Sequence, residues 1–489
     1  MDFYLKLATQ IQNFFKHDLV VLPSGLAGKV LRVEVQIPSL EPLSWLAAQD
    51  SAVKTYWCDR QGRFTMAGVG TLDTIFGDLP IDYATIFGKL RKNLSPLFPH
   101  VRYYGGIGFS QDLPIDPDWK LFGNYRFIIP RFEVWIEGSD SFLACNFSCD
   151  LSSEQLNLEL ELILAELAQL NFTESATRAV PLPIDLSVPK LCKRVDSPNR
   201  AEWSQNIEFA LAQFTDLDLD KIVLARQSTL TFATDIQPQL LLQSLKLNNS
   251  NSYHFCFQVN HNTAFIGTSP ERLYHRQDRL FQTEAIAGTR QRGASPQLDR
   301  ELSEDLRNSL KDLHEHQLVV NNLKSTLAEL CDSVTIDREL TILKLNKVQH
   351  LYTQCQGILK AQITDADLLP KLHPTPAVGG FPRIPALKLI RELEPFERGW
   401  YAAPVGWVGY DETEFAVAIR SGLIVGGASP RENRDSRLER LRQRLLLFAG
   451  AGIVRGSQSD DEWAEIENKI RHFTDLFNDC AELASSNQL

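Results

Sequence analysis

The sequence predicts an α+β fold, and three observations carry that expectation. Strand-like runs follow one another as hairpins separated by Gly, Pro and Asp clusters, amphipathic helices interrupt these groups, and no regular strand–helix–strand alternation of the kind that builds a doubly wound parallel sheet is present. With 489 residues the chain exceeds the size at which one compact core usually stops growing, so length predicts two to four domains or one unusually large layered fold. Apolar residues at 44% and charged residues at 23% are close to globular averages and supply ample material for a large core.

Taken in order, residues 26–150 read mainly as strands: LAGKVLRVEVQI, RFTMAGVGT, VRYYGGIGFS and the long FGNYRFIIPRFEVWIEGSDSFLACNFS. A helix-like stretch covers 151–170. The proline-rich segment 174–199 has no sustained period and is the expected boundary, placed near residue 195. This divides the chain into an N-terminal α+β part, 1–195, and a second part, 196–480. Beyond it come a helix (RAEWSQNIEFALAQF), a strand (KIVLARQSTLTF), a helix (QPQLLLQSLKL) and the strands SYHFCFQV, AFIGTS and RLFQTEAIAGT. One long helix is expected over roughly 298–330, since Leu302, Leu306, Leu310, Leu313, Leu323 and Leu327 keep largely to one face. A helix over 384–394, strands VGWVGY, FAVAIRSGLIVGG and RLLLFAGAGIV, and a final helix from about 460 to 478 complete the pattern.

The net charge of −11 provides no long-range positive field, which argues against nucleic acid or an anionic membrane as a partner. An anionic substrate must then be held by local charges. The eight cysteines are scattered, with no second pair to join Cys145 and Cys149 at metal-ligand spacing, and read as reduced thiols. The start, MDFYLKLATQIQNFFKH, resembles neither a secretory signal nor a transit peptide, and no stretch of 18 apolar residues occurs, so a cytoplasmic protein is expected.

Several side chains stand where they could carry chemistry. Glu315 lies between His314 and His316 on a predicted helix; residues two apart on a helix diverge, which disfavours zinc, while Glu315 alone suits a hard oxygen-seeking cation. Glu462, Glu465 and Lys469 form one stripe at i, i+3 and i+7, which is either a solvated face or one wall of a pocket. Gly450 and Gly452 precede that stripe at a strand end, where glycine lets backbone approach an anion or simply makes a turn. Lys221 opens an apolar strand, as a surface lysine or as a desolvated general base. Glu271 follows a Ser-Pro turn, either as a helix-start carboxylate or as an acid. Arg420 ends an apolar strand and must be paired with a buried carboxylate or await one from a ligand.

Together these segments resemble the chorismate-utilising enzymes, which comprise isochorismate, salicylate, anthranilate and aminodeoxychorismate synthases. The matching stretches are KIVLAR, IGTSPERL, TEAIAGTR, HEHQLV, HPTPAVGGFP, ELEPFERGWYAAPVGW, FAVAIR and FAGAGIVRGSQSDDEWAEIENK, in order through residues 221–470; the N-terminal third matches loosely, chiefly at YYGGIGF. The resemblance implies an anthranilate-synthase-component-I-like fold, two antiparallel sheets with helices outside, and makes residues 196–480 the chorismate-binding part. It implies Mg2+ as cofactor, with Glu315 and Glu465 as ligands and Glu462 nearby. It makes Lys221 the base that activates water and Glu271 the acid that protonates the departing C4 hydroxyl. Arg420 and Lys469, with backbone N–H groups around Gly288 and Gly450, become carboxylate anchors, and His373 a pocket histidine.

Two positions imply the branch. Ammonia-using relatives carry glutamine at the position of Lys221, and aminodeoxychorismate synthases a nucleophilic lysine at that of Ala287, so the pattern here resembles the water-using enzymes. The HPTPAVGGFP and EPFERGWYAAPVGW stretches are similar to isochorismate synthases of the menaquinone, phylloquinone and plant type, with salicylate synthase and a catalytically silent chorismate-binding subunit as alternatives. No glutaminase subunit and a monomer are the implied assembly.

Overall fold

The computed structural model describes residues 2–18, 28–78, 81–110, 115–148, 153–173, 189–249, 251–345, 348–426 and 442–486. Two antiparallel sheets dominate it. The larger has twelve strands, running from Val30–Ile37 at one edge through Lys54–Cys58, Tyr253–Asn260, Thr263–Ser269, Ser421–Val425, Arg444–Ile453 and Lys221–Phe232 to Gly380–Phe381 at the other. The smaller has ten, with Leu280–Gln291, Arg272–Gln277, Glu412–Val417 and Pro404–Val408 at its centre. Strands from both sides of residue 195 share each sheet, so the two parts are interleaved in space. Part of the proline-rich segment, residues 174–188, lies outside the described residues, and the expected boundary near residue 195 falls within the strand Leu191–Ser197, which pairs with Lys221–Phe232.

Period-two alternation explains the layers. In Lys221–Phe232, Ile222, Leu224 and Leu230 point to a core shared with the helices Arg200–Asp216, Pro238–Asn248 and Ser459–Ser486, whereas Val223 and Lys221 face the other way. Between the sheets lies an aromatic core that includes Trp57, Tyr253, Phe265, Phe281, Trp400 and Phe415. A buried ion pair fastens the small sheet: Asp365 accepts from Arg276 Nε at 2.9 Å and Nη2 at 2.7 Å, from Tyr274 at 3.0 Å and from Thr413 at 3.2 Å. Arg276→Met leaves that buried carboxylate with Arg91, at 3.3 Å, as its remaining charged partner, and is expected to lower unfolding free energy by about 3 kcal/mol, read by denaturant titration.

Two expectations change here. The 298–330 helix is two helices, Pro296–Asn308 and Leu310–Leu330, parted at Ser309. Ser309 is extended, and its hydroxyl accepts from the Asp312 N–H at 3.3 Å, an N-cap that restarts the helix. FAVAIRSGLIVGG is likewise two strands. Glu412–Val417 belongs to the small sheet and Ser421–Val425 to the large one, and the chain crosses between them at Ala418–Arg420, where Arg420 adopts a positive φ of 53°. The neighbouring segment makes the same crossing between Thr263–Ser269 and Arg272–Gln277, with Pro270 and Glu271 at the passage. The crossings are stitched together by Val417 N–H to Glu271 O at 3.1 Å and Thr268 N–H to Arg420 O at 3.0 Å.

Candidate active site

A cavity of about 360 Å³ opens at these crossings. It is lined by Lys221, Glu271, Ala287, Gly288, Glu315, Arg420, Gly450, Glu462, Glu465 and Lys469, so strand starts, crossovers and two helices deliver distant residues to one chamber.

Local structure accounts for each position. Lys221 is 2% exposed, and its Nζ donates to Glu315 Oε1 at 2.6 Å. Its passage depends on Gly452 in the adjacent strand, because a Cβ there would stand 2.9 Å from Lys221 Cε. Glu315 comes from the first turns of the capped helix Leu310–Leu330, while the flanking His316 is buried and bonded through Nε2 to Thr353 Oγ1 at 2.8 Å, away from any shared ion. Gly288 forms a bulge in Leu280–Gln291 with φ 67°, where a Cβ would meet Asp312 at 3.0 Å. Its carbonyl oxygen lies 3.0 Å from His350 Nδ1.

Electrostatics separate the carboxylates. Burial first, and then the negative charge of Glu284, push Glu271 up to about 8, so this acid keeps its proton at neutral pH. Burial and then Glu465 raise Glu462. For Glu465 burial pulls upward as well, but the Lys469 ammonium, 2.5 Å from Oε1, together with the charges of Lys221 and Lys311, holds the carboxyl below its usual range. Lys469 also donates to the Gly450 carbonyl at 2.9 Å. Arg420 has no carboxylate within ion-pair distance among the described residues; Nη1 reaches only the Lys469 carbonyl, at 3.4 Å. A desolvated guanidinium facing the cavity with no described carboxylate at ion-pair distance, and only the more distant charge of Glu465 acting on it, is a ready carboxylate anchor. Glu315, Glu462 and Glu465 share the chamber, yet among the described residues no three acidic, His or Cys side chains converge tightly enough to enclose a metal by themselves.

His373 departs from expectation. It does not line the cavity: its buried ring lies 3.0 Å from the Ala402 carbonyl and edge-on to Phe109, and burial lowers it to about 3, so it acts as a neutral brace behind the wall. Sequence reasoning missed Lys311, Asp312, His350 and Tyr401, which do line the chamber. The Ser309-x-x-Asp312 capping pattern was the available signal for the first two. His350 is lowered to about 4 by burial, and its Nε2 has no hydrogen-bond partner among the described residues, but a lone histidine in a strand carries no sequence signal.

Comparison with known proteins agrees with this architecture. Isochorismate synthase 2, chloroplastic, of Arabidopsis thaliana is 33% identical over 481 residues, spanning 94% of this chain and 82% of that one. The structure of MenF, the menaquinone-specific isochorismate synthase from Escherichia coli, superposes with a TM-score of 0.79 at 28% identity, covering 96% and 99% of the two chains. Anthranilate synthase component I from Streptococcus pneumoniae shares the fold with a TM-score of 0.66 at 20% identity, over 84% and 92%. The model of chorismate-binding enzymes matches residues 24–478, which takes in both sheets and every wall of the cavity, and the chain therefore belongs to that family.

Proposed function

We propose that this chain is an isochorismate synthase, converting chorismate to isochorismate by addition of water at C2 and loss of the C4 hydroxyl. The observation that carries the reading is that one chamber holds a buried lysine and a carboxyl that stays protonated to about pH 8, beside Ala287 and an arginine with no carboxylate partner among the described residues. Water is a poor nucleophile and hydroxide a poor leaving group, so the reaction needs a base and an acid at opposite ends of the shifting double bonds. In this reading Lys221 takes the proton from water and Glu271 gives one to the departing hydroxyl. One water enters and one leaves, and the proton count closes. Arg420 and Lys469 hold the substrate carboxylates, and Gly288 and Gly450 keep side chains out of the substrate's space.

A magnesium ion fits the donor set. Glu315, Glu462 and Glu465 are hard oxygen donors on one chamber, and Glu462 is raised partly because Glu465 is close by, a repulsion that a divalent cation relieves. Magnesium is commonly held by one or two carboxylates with water and substrate oxygens completing its shell, which suits three acids that do not close into a cage. When bound it supplies Lewis-acid charge stabilisation at a substrate carboxylate. Apart from the acid–base pair Lys221 and Glu271, four cations (Arg290, Lys311, Arg420, Lys469) face four carboxylates (Asp312, Glu315, Glu462, Glu465), a balance that suits a dianion accompanied by a divalent ion.

We further infer a monomer that works in the cytoplasm without a glutaminase subunit. No helix of the described residues is long and apolar enough to cross a membrane, and the six cysteines whose side chains are described are free thiols.

The product decides the branch. Purified protein with chorismate and magnesium is expected to yield isochorismate reversibly, with little salicylate or pyruvate and no aminated product when ammonium is present, as read by chromatography. Ala287 offers no amine for a covalent intermediate. Stoichiometric pyruvate would reassign the chain as a salicylate synthase, an aminated ring would overturn the role of Lys221, and no consumption of chorismate would indicate a silent binding subunit.

A further inference from the structure

Arg60 belongs to the N-terminal part of the chain and lies in the turn between the strands Lys54–Cys58 and Phe64–Val69. Its side chain leaves the hairpin and is buried against the second part. Nη1 donates to the Pro270 carbonyl at 3.0 Å, and the guanidinium grips Glu284 through both oxygens, at 2.5 and 2.8 Å. Glu284 in turn accepts from the Arg272 N–H at 2.9 Å. The residues on either side of Glu271 are thus both tied to one ion pair, at the point where the chain crosses between sheets. Glu271 and Glu284 also line a common small recess.

We infer that Arg60 is a positioning residue for Glu271: its bidentate fork fixes the Pro270–Arg272 crossover and matches the charge of Glu284 beside the reacting acid. The inference rests on the reading of Glu271 as the proton donor. A planar guanidinium can hold a carboxylate through two bonds and still donate to a carbonyl, which a lysine ammonium does with less geometric restraint. Charge works in the same direction as geometry. Glu271 is faced by Glu284 of the Leu280–Gln291 strand, Lys221 of Lys221–Phe232 and Lys469 of Ser459–Ser486. Glu284 is balanced by Arg60 and by Arg272, with Tyr352 of Val348–Leu359 alongside. Without Arg60 an unmatched anion stands next to the acid, Glu271 binds its proton more tightly, and its loop loses a charged tether.

The test uses Arg60→Met, Arg60→Lys, the double variant Arg60→Met/Glu284→Gln, and Glu271→Gln in the full chain, with kcat and KM for chorismate measured across pH and folding checked by circular dichroism. Arg60→Met is expected to lose roughly tenfold or more in kcat, with KM changed less than about threefold. Its alkaline fall in kcat/KM should move up by about half a pH unit or more. The double variant should bring that fall back toward the wild-type position, because the lone anion is gone, while kcat stays low because Pro270 remains untethered. Arg60→Lys should recover part of kcat. If Arg60→Met does not fold, the double variant, which leaves no unpaired buried charge, carries the test. Wild-type kcat and pH profile in any folded variant lacking Arg60 would overturn the inference. Activity retained in Glu271→Gln would instead remove the acid role itself, whereas an inactive Glu271→Gln beside wild-type-like Arg60 variants overturns the positioning role alone.

Discussion

Lys221→Ala and Glu271→Ala are each expected to cut turnover by about 10²–10⁴-fold while leaving magnesium-dependent chorismate binding in place. The magnitude follows from what each group does in the proposed reaction: one removes a proton from water and the other delivers a proton to a hydroxyl that cannot leave as hydroxide. Binding survives because the carboxylates are assigned to Arg420 and Lys469. Isothermal titration with chorismate and magnesium, set beside steady-state rates, separates the two effects, and a parallel loss of binding and rate would make Lys221 and Glu271 anchors. A pH signature accompanies this result. Glu271 must carry its proton to act as an acid, and burial together with the charge of Glu284 raises it to about 8, so kcat/KM is expected to fall above about pH 8. An alkaline limb near 4.5, the ordinary range for a glutamic acid, would contradict its assignment.

Glu315→Gln and Glu465→Gln are expected to reduce the rate at limiting magnesium by roughly a hundredfold or more, and removal of the metal with EDTA should abolish it. A neutral amide oxygen is a poorer ligand for a hard cation than a carboxylate, and neither side chain belongs to the hydrophobic core. Each glutamate has a lysine partner as well, Lys221 for Glu315 and Lys469 for Glu465, so a loss of rate alone does not identify the cause. Magnesium titration does. A metal ligand gives a weakened response to magnesium, both in rate and in heat of binding, whereas a group needed only to orient a lysine leaves the magnesium dependence unchanged and lowers the plateau.

The proposed catalytic residues were legible because their chemistry is written in short local stretches. Lys221 beside an apolar run, Glu271 after a Ser-Pro turn and the Glu462, Glu465, Lys469 stripe each stand out within about ten residues, and the cavity brings them together. Local patterns were less informative where two sheets compete for one segment. FAVAIRSGLIVGG reads as a continuous apolar strand, since both of its halves are buried and nothing in the alternation marks a change of partner. The bend at Arg420 becomes visible only in its left-handed backbone. The helix over 298–330 was overextended for a related reason: leucine periodicity continues on both sides of Ser309, and the capping serine was outweighed by it.

What the sequence by itself determined is the class of the fold, the family, and the set of charged side chains able to do acid–base and cation-binding chemistry, because residue type, strand alternation and short motifs are local properties. What only the tertiary structure decided is which of those groups share a chamber and what charge each one holds there. His373 was assigned to the pocket from its motif, yet packing turns its ring toward Ala402 and Phe109. Arg60 lies about two hundred residues from Pro270 in the chain and is bonded to it in space, a contact that no local pattern encodes. Even the protonation of Glu271 is a tertiary property: a carboxyl loses or keeps its proton according to the water removed from it and the charges left beside it, and both are set by segments distant in sequence.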